Sequence, residues 1–249
     1  MRTSRTQQPV VHGLRDEVLR ANLEIPRAGL ATLTWGNVSG VDRDAGVFVI
    51  KPSGVAYDEL TADLLVVVDL ADGSVVEGDL RPSVDSETHR RLYEAFPEIG
   101  GVTHTHSTYG VAFAQASRDI PVLGTTHADT FNGPIRCTRE VTSDECDDRY
   151  EYHTGTAILD LFERTGDDPM EVPGALVSNH GPFTWGDTAM QSLKNAIACE
   201  AIAQMALHTL ALNPHATAPE HLLRRHFRRK HGPDAYYGNS VGVAAVAPP

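Results

Sequence analysis

The sequence predicts an α/β fold in which helices cover a sheet, and three observations lead to this prediction. The chain has 249 residues, of which 41% are hydrophobic and 22% are charged, as is typical of a folded globular protein. Short runs of β-branched residues are separated by turn residues such as Asp72-Gly73. Helical patterns lie between these runs, and strands interleaved with helices on this scale indicate a helix-covered sheet.

The chain opens with a predicted helix, and short strands follow. In residues 12–22, Leu14, Val18 and Ala21 recur at helical spacing, and Pro26 is expected to end the helix. Runs of β-branched residues bounded by turn residues are typical of strands. The predicted strands are residues 47–51, 64–69, 74–77, 101–106 and 175–178.

Capping patterns and prolines define the remaining helices. Thr142-x-x-Glu145 is a capping-box pattern, and Asp187 is the expected N-cap of a long helix. Thr217 and Glu220 also have capping-box spacing. The predicted helices are residues 85–96, 142–149, 155–164, 188–212 and 219–230.

The domain organisation is simple, because no internal repeat, low-complexity linker or composition shift marks a boundary before residue 238. We therefore expect a single domain over residues 1–249, with a core at about 14–238. Residues 239–249 are small, apolar and poorly patterned, and we expect them to form a mobile tail.

Charge and hydropathy exclude several classes of function. The chain has 21 Lys and Arg against 33 Asp and Glu, and its net charge of −12 disfavours nucleic acid as the main partner. Its longest apolar run is Leu64–Val68, whereas a membrane span needs about 20 residues. Residues 1–13 lack the apolar core of a secretory signal, and the three cysteines form no CxxC. We therefore expect a cytoplasmic protein with reduced thiols and no membrane partner.

Two histidines at alternate positions form the most informative motif. In a strand, alternate side chains point to the same face, so His104 and His106 would lie side by side at the end of strand 101–106. Two hydrogen-bonded or surface histidines would give the same pattern. His180 precedes a Gly-Pro turn after another predicted strand and is a third candidate. Three neutral imidazoles with an open position are typical of a catalytic zinc site, which also accepts manganese or cobalt.

Asp85 lies at the predicted start of a helix near these strands. Its carboxylate is a candidate fourth ligand, or a partner that orients a ligating histidine. The alternative is an acid that stabilises the helix dipole by about 0.3–1 kcal/mol. Position alone does not separate these roles.

A series of motifs in one order resembles the class II aldolase/adducin family over about residues 14–238. These motifs are Thr34-Trp-Gly-Asn-Val-Ser39, Lys51-Pro-Ser-Gly54, Thr88-His-Arg90, His104-Thr-His106, Gly124-Thr-Thr-His-Ala-Asp129, His180-Gly-Pro182 and Lys230-His-Gly-x-x-Ala-Tyr-Tyr-Gly238. The resemblance implies a three-layer α/β/α fold with a central, mainly antiparallel sheet. It also implies a ring-shaped homotetramer with sites between subunits.

The resemblance further implies one divalent metal ion per subunit, usually Zn²⁺, held by His104, His106, His180 and Asp85. It is strongest to the family members that invert C4 of L-ribulose 5-phosphate to give D-xylulose 5-phosphate. The hydrogen on C4 is not acidic, so inversion is expected to proceed by cleavage and re-formation of the C3–C4 bond. A metal ion acting as a Lewis acid would stabilise the charge that this cleavage develops.

The resemblance assigns proton transfer to Asp129 and Tyr237, with Tyr237 reaching in from a neighbouring subunit. Without it, Asp129 would be interpreted as a turn-capping carboxylate and Tyr237 as a packed aromatic residue. The implied substrate-binding positions for the phosphorylated ketopentose offer backbone N–H groups and small hydroxyls. They are Gly36, Asn37, Lys51, Ser53, Gly54, Ser83 and Val84. The family pattern has a serine where Val84 stands, so only the Val84 N–H can serve there.

Two alternative functions remain open. A class II aldolase would stop after cleavage and release dihydroxyacetone phosphate, but that type has a glutamate at the position of Asp85. An adducin-like interaction module would be non-catalytic, and such a module has no need of three metal-binding histidines with an acid–base pair.

Overall fold

The central sheet has seven strands, all paired in antiparallel fashion. The computed structural model describes residues 8–232, 235 and 236, so Tyr237 and the predicted tail lie outside the described residues. The strands are β1 (Asn37–Asp42), β2 (Val47–Ile50), β3 (Val66–Asp69), β4 (Val75–Glu77), β5 (Gly101–His104), β6 (Gly174–Val177) and β7 (Gly181–Gly186). Their spatial order is β4-β3-β2-β1-β5-β7-β6.

Helices lie on both faces of this sheet. They are α1 (Gln8–Arg27), α2 (Ser86–Ala95), α3 (Thr108–Gln115), α4 (Thr125–Ala128), α5 (Ser143–Thr165), α6 (Ala189–Leu212) and α7 (Glu220–Lys230), with a short 3-10 helix at Ala62–Leu64. Alternate residues of β2 divide the core, because Val49 packs with α1 while Phe48 packs with α2 and α5. This arrangement confirms the predicted α/β/α fold with an antiparallel sheet. Within the described residues, no helix combines the length and apolar character needed to cross a membrane.

Two strands next to β5 were not predicted. β1 and β7 contain Asn, Gly and Pro residues that weaken a β-strand pattern, yet both lie in the interior of the sheet. All six residues of β7 are buried, so tertiary packing overrides local preference there. The short helices α3 and α4 were also missed, because neither is long enough to develop a clear helical period.

Several predicted helix ends need correction. α1 continues past its expected stop and includes Pro26 in its last turn, where a missing N–H removes only one terminal hydrogen bond. The N-cap of α6 is Thr188 rather than Asp187, since the Thr188 side chain accepts from the Gln191 N–H. The helix α7 begins after Pro219 with no side-chain cap, so the box proposed for Thr217 does not form.

Helix α5 joins two segments that were predicted as separate helices. The capping box at its start is confirmed, because Thr142 and Glu145 each bond the backbone of the other. The helix kinks at Arg149, whose backbone is non-helical at φ −136° and ψ 76°. Beyond the kink, Gly155 packs tightly against α2, and the Thr88 hydroxyl donates to the Glu151 carbonyl at 2.6 Å. These contacts fix the kinked turn against α2.

Gly101 allows the start of α6 to lie directly on β5. A Cβ atom at this position would lie 2.4 Å from both the Cα and the N of Ala189. Real Cβ atoms do not approach backbone that closely, so a larger residue would push α6 away from the strand that ends in His104.

We expect Gly101→Ala to lower the free energy of unfolding by about 1–3 kcal/mol or more, because the added methyl group meets backbone atoms that cannot rotate away. Gly13→Ala in α1 is the matched control, since nothing lies within 4 Å of its added methyl group. That control should leave stability unchanged or raise it by up to about 1 kcal/mol. Equilibrium denaturation in urea measures both variants, and equal midpoints for Gly101→Ala and the parent would contradict the expectation.

Candidate active site

Three histidines converge at one end of the sheet. His104 is the last residue of β5, His106 follows two residues later, and His180 lies in the turn between β6 and β7. Their candidate ligand atoms all lie within 4.8 Å of one another. The ring centroids of the three pairs are 4.7, 4.8 and 5.0 Å apart. The antiparallel pairing of β5 with β7 and of β7 with β6 brings these separate segments together.

The ring of His104 is held in one orientation. Its Nδ1 lies 3.0 Å from the Pro182 carbonyl oxygen, which can only accept, so the ring proton is on Nδ1. The Phe183 ring stacks on the imidazole at a centroid distance of 4.1 Å. The Nε2 atom is left buried with a free lone pair and no partner among the described residues. A bound cation would satisfy this otherwise costly unpaired atom.

The other two imidazoles are also suited to ligation. Burial lowers the pKa of His180 to about 3, and the nearby imidazoles of His104 and His106 add to this effect against the opposing charge of Asp85. Burial likewise lowers the pKa of His106. Both rings are therefore neutral near pH 7, as metal ligation requires. The Tyr150 hydroxyl lies 3.1 Å from His180 Nδ1, which leaves His180 Nε2 free.

Asp85 lies beside the three histidines but is not a member of the group defined by mutual distance. Its Oδ2 accepts from Asn37 Nδ2 at 2.7 Å and from the Ser83 hydroxyl at 3.3 Å. Burial raises the pKa of Asp85, but His104 and the other nearby histidines, with the Asn37 hydrogen bond, outweigh it and lower the pKa. The carboxylate is therefore ionised and faces the histidine group. Its role as fourth ligand stays a prediction.

A cavity of about 380 Å³ opens next to this group. It contains all seven substrate-binding positions that were predicted from the sequence. The lining residues are Thr34, Trp35, Gly36, Asn37, Lys51, Pro52, Ser53, Gly54, Ser83, Val84, Asp85, His106, Tyr150, Glu151 and His180. His104 is not among them, because it lies behind the cavity wall.

The backbone donors of the cavity differ from those expected. The N–H groups of Ser53 and Ser83 donate to the carbonyls of Arg81 and Lys51, and the Ser83 hydroxyl donates to Asp85. Of these two serines, only Ser53 therefore has a hydroxyl left to donate to a ligand. Within the described residues, the N–H groups of Gly54 and Val84 donate to no protein acceptor. The Val84 side chain is 64% exposed at the cavity rim. The N–H groups of Gly54 and Val84 are therefore available to a ligand in this cavity.

Lys51 supplies a buried cation to the same cavity. Its Nζ lies 5.0 Å from the centroid of the Tyr57 ring, and burial lowers the pKa of the ammonium. The Tyr57 hydroxyl donates to the carbonyls of Trp35 and Gly36 at 2.8 Å each. Gly36 is required here, since its φ is +82° and a Cβ would lie 2.8 Å from the His104 carbonyl oxygen.

Asp129 lies elsewhere in the chain, at the C-terminal end of α4. Arg229 of α7 grips its carboxylate with two hydrogen bonds of 3.0 and 2.6 Å, and His226 Nδ1 donates at 3.1 Å. Burial raises the pKa of Asp129, but these hydrogen bonds and the charge of Lys230 outweigh it and lower the pKa. Asp129 is not among the residues that line the cavity. In a single chain the structure therefore does not bring Asp129 to the histidine group.

The sequence reasoning missed two residues at the cavity, Tyr150 and Glu151. Both follow directly on the kink at Arg149, which turns this part of α5 towards the site. A helical pattern in the sequence does not reveal such a kink, so no signal pointed to them. Trp35, which lies in the first of the family motifs, is half-exposed on the cavity wall.

Comparison with known proteins agrees with this fold. The family model for the class II aldolase and adducin N-terminal domain matches residues 16–207. An L-fuculose 1-phosphate aldolase superimposes with a TM-score of 0.73 at 20% identity, over 87% of this chain and 95% of that chain. A second such aldolase, from Glaciozyma antarctica PI12, gives a TM-score of 0.72 at 18% identity, over 94% and 88% of the two chains.

The chain therefore belongs to the class II aldolase and adducin family. Within it, the chain is 50% identical over 226 residues to the L-ribulose-5-phosphate 4-epimerase UlaF of Salmonella paratyphi C. This match covers 90% of the chain and 98% of the relative. The enzyme of the same name from Salmonella choleraesuis matches to the same extent.

We expect His106→Ala or His180→Ala to weaken binding of a divalent cation by more than about 10- to 100-fold. Loss of a residue that only orients a ligand already costs that much, and these variants each remove a ligand itself. Metal analysis after dialysis against a chelator of known affinity measures the change. The cation should also raise the melting temperature of the parent protein but not of these variants.

His215→Ala is the matched control for this experiment, because His215 is exposed after α6 and outside the histidine group. It should bind the cation as the parent does. Unchanged metal content in both site variants would contradict a three-histidine metal centre.

Proposed function

We propose that this protein is an L-ribulose-5-phosphate 4-epimerase, an isomerase that inverts C4 of L-ribulose 5-phosphate to give D-xylulose 5-phosphate. The observation that carries the proposal is the group of three histidines beside a cavity that holds Asp85 and the seven substrate-binding positions. The identity of 50% to enzymes of that name supports this choice of substrate. We also propose that residues 1–249 form one domain with a core at about 14–238, and that the protein works in the cytoplasm.

The metal that we propose for this site is Zn²⁺, with His104, His106 and His180 as ligands and Asp85 as the fourth. Neutral imidazoles and a carboxylate suit zinc, although manganese or cobalt also accepts such a set. When bound, the cation supplies a Lewis acid that stabilises negative charge on the substrate oxygens during cleavage of the C3–C4 bond.

The phosphate end of the substrate is assigned to the part of the cavity lined by Lys51, Ser53, Gly54 and Val84. The free N–H groups of Gly54 and Val84, the Ser53 hydroxyl and the Lys51 ammonium together offer four donors to an anion. A phosphate beside Lys51 would favour its charged form and offset the effect of burial. Asn37 fixes Asp85 through Nδ2, while its buried Oδ1 has no partner among the described residues. That oxygen is placed to accept from a substrate hydroxyl.

Inversion at C4 needs a proton acceptor on one side of the carbon and a donor on the other, after the aldehyde fragment has rotated. We assign these roles to Asp129 and Tyr237. Asp129 is ionised at rest and so starts as an acceptor. The hydroxyl of a tyrosine, with an ordinary pKa of about 10, starts protonated.

Both groups would enter the site from a neighbouring subunit. Asp129 is tied to α7 by Arg229 and His226, and α7 leads along the chain to Tyr237. Asp129 does not line the cavity of its own chain. A homotetramer with sites between subunits would therefore pair the histidine group of one chain with Asp129 and Tyr237 of the next.

The second candidate function is a class II aldolase that releases dihydroxyacetone phosphate. The fold neighbours that are aldolases support it only at the level of fold, because their identity to this chain is 18–20%. The aspartate at position 85 favours the epimerase, since the aldolase type carries the longer glutamate there. A non-catalytic adducin-like module would not need the group of three histidines beside the cavity.

We expect the metal-loaded protein to convert L-ribulose 5-phosphate to D-xylulose 5-phosphate, and activity to fall at least about 100-fold when the metal is removed and return when it is restored. A coupled assay for D-xylulose 5-phosphate measures this conversion, and a parallel assay measures free dihydroxyacetone phosphate. Stoichiometric release of dihydroxyacetone phosphate would instead support the aldolase. Full turnover without metal would contradict both.

Co-expression of two inactive variants tests the shared site. His106→Ala and Tyr237→Phe damage opposite halves, so random mixed tetramers should regain roughly a quarter of wild-type activity, because one site in four combines two intact halves. His106→Ala with Asp129→Asn should behave in the same way. Asp129→Asn with Tyr237→Phe should regain none, because both changes lie in the same half.

Recovery of activity in that last mixture would show that Asp129 acts in its own subunit and contradict the assignment. Light scattering of each mixture serves as the control, since all variants should remain tetramers. A monomer with full activity would exclude a site between subunits.

A further inference from the structure

His89 is a buried histidine next to the candidate metal centre that the proposed mechanism does not use. It lies on α2, one turn after Asp85, and its side chain is completely buried. Its Nδ1 lies 2.7 Å from the Ser39 hydroxyl, which in turn lies 2.7 Å from the Tyr93 hydroxyl. Its Nε2 is buried with no hydrogen-bond partner among the described residues. A buried unpaired ring nitrogen requires an explanation.

The chain of hydroxyls determines which ring nitrogen of His89 carries the proton. The hydrogen-bond partner of the Tyr93 hydroxyl among the described residues is the Ser39 hydroxyl. In one direction the Tyr93 O–H donates to Ser39, and the Ser39 O–H donates to His89 Nδ1. In the reverse direction the Tyr93 O–H would also be buried without an acceptor among the described residues. The first direction leaves one unpaired group instead of two, so the His89 proton is on Nε2.

His89 and Asp85 lie side by side over one face of β1. They are four residues apart, and the His89 N–H donates to the Asp85 carbonyl at 3.0 Å. The side chain of Asp85 bonds Asn37 and that of His89 bonds Ser39, and these two partners alternate on β1. The His89 ring packs edge-on against Phe183, which stacks on His104 from its other side. The Asp85 carboxylate has Oδ2 occupied by Asn37 and Ser83, whereas no partner of Oδ1 is seen in the described part of the chain. Donor and acceptor are thus complementary.

We propose that His89 is a positioning residue for Asp85, which it holds by donating Nε2–H to the carboxylate through one buried water. The inference rests on the proposed metal centre and deepens it. The Tyr93–Ser39 relay keeps His89 in the donating tautomer. Asn37 and Ser83 hold Oδ2 of Asp85, and His89 would restrain the rest of the carboxylate from the side opposite the cavity. A fixed carboxylate presents its lone pairs to a cation without a loss of freedom on binding.

Variants of His89 separate the donor from the bulk of the ring. His89→Leu removes the donor and keeps an apolar side chain, and we expect it to weaken affinity for Zn²⁺ or Co²⁺ by about 10-fold or more. His89→Gln places an amide N–H near the position of Nε2, and we expect its affinity to stay within about threefold of the parent. Competition with a chromogenic chelator measures the affinity. The visible spectrum of the Co²⁺ form should change in His89→Leu only.

His127→Leu is the matched control, because His127 is also a buried histidine with one unpaired ring nitrogen and does not belong to the histidine group. It should not change metal affinity. Equal metal affinity in His89→Leu and the parent would overturn the proposal, as would equal weakening in His89→Gln and His89→Leu.

The tautomer of His89 can be measured in the unaltered protein. A variant is needed only to assign the His89 signal in the spectrum. In protein labelled with ¹⁵N in the histidine rings, long-range ¹H–¹⁵N spectra should show the His89 proton on Nε2, and Ser39→Ala should redistribute it towards Nδ1. A proton on Nδ1 in the unaltered protein would overturn the inference. Neither readout depends on turnover, so a protein without epimerase activity would reject the proposed function and leave the test of His89 intact.

Discussion

The site depends on the hydrogen bond that the Pro182 carbonyl accepts from His104. That bond places the ring proton on Nδ1, and the stacked Phe183 ring holds the imidazole in position. Both partners belong to β7, which is the neighbour of β5 in the sheet. The pairing that builds the sheet therefore also directs the lone pair of His104 towards the other two histidines. The same β7 begins at the turn that carries His180, so one strand supports two members of the group.

Three of the six buried side-chain atoms that have no partner within the described residues belong to this region. His104 Nε2, His89 Nε2 and Asn37 Oδ1 are all buried and unpaired within the described residues. Unpaired buried polar groups cost stability, and folded proteins retain few of them. Asn37 bonds the Asp85 carboxylate, His89 follows Asp85 by one turn of α2, and His104 pairs with Asn37 in the sheet. This concentration indicates a structure prepared for a cation and a polar substrate rather than one optimised for stability alone.

Local patterns in the sequence predicted the parts of the site that lie close together along the chain. The alternation of His104 and His106 and the cluster from Ser83 to Asp85 could be interpreted without a structure. Tyr150 could not, because it faces the cavity only through the kink at Arg149 and the contacts of α5 with α2. The amides of Ser53 and Ser83 were expected to bind phosphate, but the carbonyls of Arg81 and Lys51 already accept their protons. These hydrogen bonds join residues that are far apart in the chain and form only in the folded structure, so residue spacing does not predict them.

Charge distribution explains how an acidic chain can bind a sugar phosphate. A net charge of −12 repels an anion at long range, so attraction must come from groups at the cavity itself. The cavity is lined by Lys51 and by Gly54 and Val84 with their free amides, and also by Asp85, His106 and His180. Asp85 on its own would oppose an anionic substrate. A divalent cation on the three neutral imidazoles would more than cancel that single negative charge. The local field would then be positive, so the substrate should bind more tightly when the metal is bound.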